Sequence, residues 1–220
     1  MPSPDRRMVL KALATTFTVL CAGQVSVSSA ASNEFEDAAG EWTVHTLEAF
    51  ADTLIPGERR FKADLAIADA VAGPGAVQAG VITTLFSPEL PLAAALPEIS
   101  ALLNARAILY AADHLILLPI TVPAFVSLSF RHRTALVRLL FDLDDPDRAI
   151  WQMLSLLTGL AFDSAAHSDT HLAVASGHPG LSWLHFPPPG ADGLWNFPAY
   201  SYGSVLASTH PATTASGSPT

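Results

Sequence analysis

Asp163, His167 and His171 stand at i, i+4 and i+8 in a stretch that reads as helix, so their spacing puts them on one face. A carboxylate and two imidazoles one turn apart form a donor set for a transition metal. The glutamate of an H-E-x-x-H metalloprotease helix is missing, and no fourth ligand lies close in sequence. A solvated face, with imidazoles near a helix C-terminus favoured by its dipole, accounts for the same residues. Asp142, Asp144, Asp145 and Asp147 read as the acidic start of a helix around Pro146. No G-x-S-x-G elbow is present, and Gly73-Pro74-Gly75 has neither the spacing nor the lysine of a phosphate loop.

Ser176-Gly177-His178 is similar to the S-G-H step of acid phosphatases and vanadium haloperoxidases. That chemistry needs basic groups on both sides to hold an oxyanion, and this chain has no Arg or Lys after Arg148. Gly177 reads instead as a helix stop, with Pro179 just beyond. No catalytic residue and no cofactor is assigned to the chain. A free-standing exported metal-binding protein or enzyme built on Asp163, His167 and His171 is the alternative.

The bulk composition narrows the partners. Twenty acids against 11 bases give a formal charge of −9, which excludes a phosphate-backbone partner and attraction to anionic lipid. Half the residues are hydrophobic and 14 % are charged, more apolar than a small domain usually is, so some apolar surface is expected to meet a partner. The one cysteine, Cys21, falls in the leader described next. The mature chain then lacks disulfides, thiolate nucleophiles and cysteine-ligated metals.

Positioning elements follow from periodicity and punctuation. Residues 1–30 read as a twin-arginine signal: Arg6 and Arg7, then Lys11, an uncharged moderately apolar run, and small residues at Ser28 to Ala31. Thr15, Thr16, Thr18 and Gln24 make that run a poor permanent span. The reading predicts export by the twin-arginine translocase to the extracellular space, the periplasm or the cell envelope, with no stable membrane span after cleavage. Residues 31–176 read as one all-α domain, an irregular bundle with no convincing strand. Helices are predicted over 41–55, 64–72, 76–86, 97–117, 131–143 and from 147 to 175. The 97–117 helix is apolar almost all round and is predicted at the centre, with Leu109 buried. On the 131–143 helix, Leu136, Leu139, Leu140 and Leu143 are predicted to share one side. Residues 177–220 hold seven of 17 prolines and six of 13 glycines, so extended chain is predicted. Their Trp183, Trp195, Phe197, Tyr200 and Tyr202 are candidate partner-interface rings, packed on this chain or on a partner.

The run Leu47-Glu-Ala-Phe-Ala-Asp-Thr-Leu-Ile-Pro-Gly57 resembles the opening helix of the small (gamma) subunit of gluconate 2-dehydrogenase. G-P-G-A-V-Q-A-G (73–80), G-H-P-G-L (177–181) and A-D-G-L-W-x-F-P (191–198) resemble one actinobacterial-type branch. Together they span about 41–210, and the first helix alone links the branch to the characterised subunit, from which the C-terminal half departs. The resemblance implies a non-catalytic accessory subunit that carries the export signal for a large flavoprotein of the glucose-methanol-choline oxidoreductase type. FAD is then expected in that partner and no cofactor in this chain.

Overall fold

A computed structural model describes residues 32–90 and 92–195, with side chains from residue 40. The signal with Arg6 and Arg7, and the rings Phe197, Tyr200 and Tyr202, lie outside the described residues. Among the described residues there are eight α-helices and no strand, so the fold is all-α. They are α1 (Ser32–Leu54), α2 (Val81–Leu85), α3 (Leu96–Asp113), α4 (Ala124–Ser127), α5 (Phe130–Leu140), α6 (Arg148–Ser164), α7 (Thr170–Ala175) and α8 (Pro179–Trp183). A short 3-10 turn, Ala93–Ala95, leads into α3.

The central helix is α1, not the more apolar α3. Every residue from Thr46 to Thr53 is buried, and α1 packs against α2, α3, α4, α5 and α6. Four of those buried residues are polar, which hides its central place from a hydrophobicity reading. Each finds a partner: Thr53 donates to the Ala49 carbonyl, Thr46 donates to Trp42 and accepts from Asn104, and Glu48 and Asp52 hold the loop that follows. Pro56 ends the helix by removing a donor and pushing the preceding residue out of the α region.

The helix α3 buries Leu96, Ile99, Leu103, Ala107 and Tyr110 on one side. Its other side, Ala101, Ala105, Ile108, Leu109 and Ala112, faces water, and Leu109 is 62 % exposed. The prediction that Leu109 is buried is therefore overturned. On α5, Leu136 and Leu140 are buried, while Leu139 and the following Leu143 point outward. The predicted helix over 64–72 is absent, and 76–86 yields only the five residues of α2. Residues 179–183 form the short α8 where extended chain was predicted. A second, smaller core of Ala165, Ala173 and Leu181, with Val174 and Phe186 against it, sits under α7 and α8. Through α8 that unit docks on α6.

Candidate functional site

The buried acidic face of α1 is spent on the loop from Pro56 to Asp69. Glu48 and Asp52 are one turn apart and therefore on the same side. Asp52 accepts from the backbone N–H groups of Gly57 at 3.0 Å and Ala68 at 2.9 Å, pinning both ends of the loop. Glu48 receives both terminal nitrogens of Arg60, at 2.5 and 2.9 Å, and Arg60 also reaches Asp64 at 2.7 Å. From the opposite side the buried Arg133 of α5 donates to the carbonyls of Ala66, Leu65 and Val126. A second loop closes on the first at Gly57 and Gly75, where a Cβ on Gly57 would stand 2.5 Å from the Gly75 nitrogen. The run Asp52-Thr-Leu-Ile-Pro-Gly57 is thus a folding device, with its carboxylate, helix stop and close approach each needed for one turn of chain.

Charge states follow from these contacts. Burial pushes the Asp52 carboxyl above the usual range, outweighing the pull of the Ala68 and Gly57 N–H groups and of Arg133. Burial also acts upward on Asp64, but the hydrogen bonds from Arg60 prevail and hold its carboxyl below that range. Burial brings the Arg133 guanidinium down to about 10 against the opposing pull of Asp52. Each of these groups is engaged by other groups of the protein, although the buried Arg133 Nε has no hydrogen-bond partner among the described residues.

The predicted Asp163, His167 and His171 face is broken by the backbone. The helix α6 stops at Ser164 because Ala165 turns left-handed, with φ 49° and ψ 37°. A new helix, α7, starts with Asp169 as its N-cap, whose side chain accepts from the Leu172 N–H at 3.1 Å. The Ser168-Asp169-Thr170 sequence was the readable sign of that restart. Asp163 is left exposed on α6. The His167 ring lies against Gly80, whose φ of 75° and contact with that ring both forbid a side chain. His167 also meets Thr84 Oγ1 at 3.4 Å and His178, ring centre to ring centre, at 5.7 Å. His171 instead lies tilted against Trp195, ring centres 4.3 Å apart. Among the described residues no three of His, Cys, Asp or Glu converge on one point.

His178, singled out in sequence within the S-G-H and G-H-P-G-L motifs, joins three segments. Its Nε2–H donates to the Ala79 carbonyl at 2.8 Å, and its Nδ1 accepts from the Leu181 N–H at 3.4 Å as the N-cap of α8. A carbonyl only accepts, so the imidazole is the Nε2–H tautomer. Burial, with His178 close by, lowers the proton affinity of His167. An open cleft of about 550 Å³ runs from His167 past Phe86, Pro88 and Glu89.

The surface carries what the interior does not use. Ile108 and Leu109 are exposed on α3, and the loop after it exposes Leu115 by 92 %, Leu117 by 97 % and Ile120 by 93 %. That loop continues into a second open cleft of about 390 Å³, between Trp42, Phe61, Leu65, Val122 and Pro123. Of the interface rings, Trp183 is 77 % exposed. Trp195 is held by its own chain, donating to the Pro187 carbonyl at 2.8 Å and lying edge-on to Phe186.

The same stretch of chain, from the middle of α1 onward, is what the family comparison recognises. The chain belongs to the family of unknown function DUF5987. The match covers residues 41–220. No curated protein and no solved structure matches the chain. The DUF5987 region contains the Asp52 lock, the His178 joint, the exposed 108–120 surface and the aromatic C-terminal segment, whereas the twin-arginine stretch precedes it. Among the described residues no helix is long and apolar enough to cross a membrane.

Proposed function

We propose that this DUF5987 chain is a non-catalytic docking subunit, exported by the twin-arginine route and assembled with a large flavin-dependent oxidoreductase of the glucose-methanol-choline type. The observation that carries the docking role is the exposed apolar run from Ile108 through Ile120. Three of its side chains stand more than nine-tenths in water, although a helical protein of this size has interior to hold them. Asp52, Glu48 and Arg133 are meanwhile engaged in holding the loop after α1. The partner's class rests on the resemblance of residues 47–57 to the gluconate 2-dehydrogenase small subunit. Those residues build the first helix and its turn, so what they support is a common scaffold.

The test is co-isolation with a flavoprotein. A tagged full chain, recovered from its native source, is expected to bring down one protein carrying FAD, read by its absorbance near 450 nm. The double variant Leu117→Asp, Ile120→Asp should keep its helical far-ultraviolet spectrum and lose that flavoprotein. Recovery of the chain as a lone monomer, or retention of the flavoprotein by the double variant, refutes the proposal.

A further inference from the structure

We propose that the partner surface meeting the exposed 108–120 run is an apolar hollow rimmed by carboxylates. This rests on the docking role given to that run above and adds the chemistry of what it meets. The observation is where the unengaged positive charge lies. Arg59, Arg60, Arg106, Arg133 and Arg148 each donate to a carbonyl or carboxylate of their own chain. Lys62, Arg131 and Arg138 are exposed and have neither a side-chain hydrogen bond nor an ion pair among the described residues. With 20 acids against 11 bases in the chain, acids to pair with them are not scarce.

The three free cations border one apolar surface. Arg131 precedes His132 in α5, and the His132 ring centre lies 6.3 Å from that of His114, the residue before Leu115. Arg138 is seven residues on, so it stands on the same side of α5, about 10.5 Å along its axis. Leu139 beside it is 54 % exposed. Lys62 follows Phe61, which lines the open cleft together with Val122 and Pro123. The loop carrying Leu115, Leu117 and Ile120 runs from the first of these places to the last.

Each part asks something different of the partner. Leu115, Leu117 and Ile120, all more than nine-tenths in water, gain by entering an apolar hollow. The cations stay wet at the rim, where opposite charge steers approach and fixes register. The acids bordering this surface in the chain, Glu41, Asp113 and Asp142, pair with none of the three cations. Asp113 faces the partner's carboxylates as a like charge. Aliphatic tips beside bases also suit an anionic lipid surface, but a net charge of −9 opposes that approach.

The test uses the tagged full chain and the FAD-carrying protein that it brings down. The dissociation constant is read from flavin absorbance at ~50 and ~500 mM NaCl, and wild type should bind about tenfold more weakly at the higher salt. A chain with Lys62→Glu, Arg131→Glu and Arg138→Glu should keep its helical far-ultraviolet spectrum. It should bind about tenfold more weakly at low salt and lose most of the salt dependence. Arg131→Lys with Arg138→Lys keeps the charge and should bind within about threefold of wild type. Asp113→Lys should tighten binding at low salt. Full binding by the triple Glu variant, or weaker binding by Asp113→Lys, overturns the carboxylate rim while the docking role stands. Co-sedimentation with phosphatidylcholine–phosphatidylglycerol vesicles that is lost in the triple Glu variant overturns it too. A wild-type chain that brings down no flavoprotein overturns both.

Discussion

Replacing Asp52 by Ala removes the acceptor of two backbone N–H groups, those of Gly57 and Ala68, and the carboxylate nearest Arg133. A buried donor left unpaired costs about 1–3 kcal/mol. Gly57 is buried and Ala68 partly so. The two together, with Arg133 uncompensated, should lower stability by roughly 3–5 kcal/mol, against total stabilities of about 5–15 kcal/mol. Asp52→Asn keeps one acceptor oxygen and should cost less, roughly 1–2 kcal/mol. The pH dependence separates hydrogen bonding from charge. Because burial raises the Asp52 carboxyl, its stabilising contribution is complete below the unfolded value of about 3.9 and is lost as pH rises through the folded one. The advantage of wild type over Asp52→Asn should therefore shrink as pH climbs from about 4 toward neutrality. Urea unfolding followed by far-ultraviolet circular dichroism, at several pH values, measures all three proteins. An Asp52→Ala variant within about 0.5 kcal/mol of wild type would refute the lock.

The His167 proton affinity is lowered by burial and by His178, so protonation favours the open chain; stability should fall as pH drops from about 6.5 through the folded value. His167→Gln should flatten that fall, as read by urea midpoints between pH 7 and pH 5. Trp151 is fully buried while Trp183 is not, so Trp151→Ala should cost about 3–5 kcal/mol and Trp183→Ala within about 0.5 kcal/mol, checked by thermal unfolding. Leu109→Asp should fold with a normal melting transition, whereas Leu103→Asp, at a fully buried site, should not. Replacing Arg6 and Arg7 by Lys keeps charge and loses the guanidinium fork, so this chain, and with it the proposed flavoprotein partner, should remain in the cytoplasm on fractionation. Export of the flavoprotein at normal levels would contradict the carrier role.

Local chemistry settled the all-α class, the stop at Pro56-Gly57 and the start of α6 near Asp147. These depend on φ restriction and side-chain period, which act within one turn of chain. The restart at Asp169 was legible in Ser168-Asp169-Thr170, but the i, i+4, i+8 spacing of Asp163, His167 and His171 read as one continuous helix. Burial was not legible, because it is a relation between elements. The polar α1 became the centre since Arg60 and the N–H groups of Gly57 and Ala68 arrive from elsewhere to satisfy it. The apolar α3 was left half in water because nothing among the described residues covers its Ile108 and Leu109 side. The candidate metal face 163–171 failed for a similar reason. Ala165 adopts a left-handed turn that its own residue type disfavours, and the packing of His167 on Gly80 and of Ala165 into the small C-terminal core holds it there.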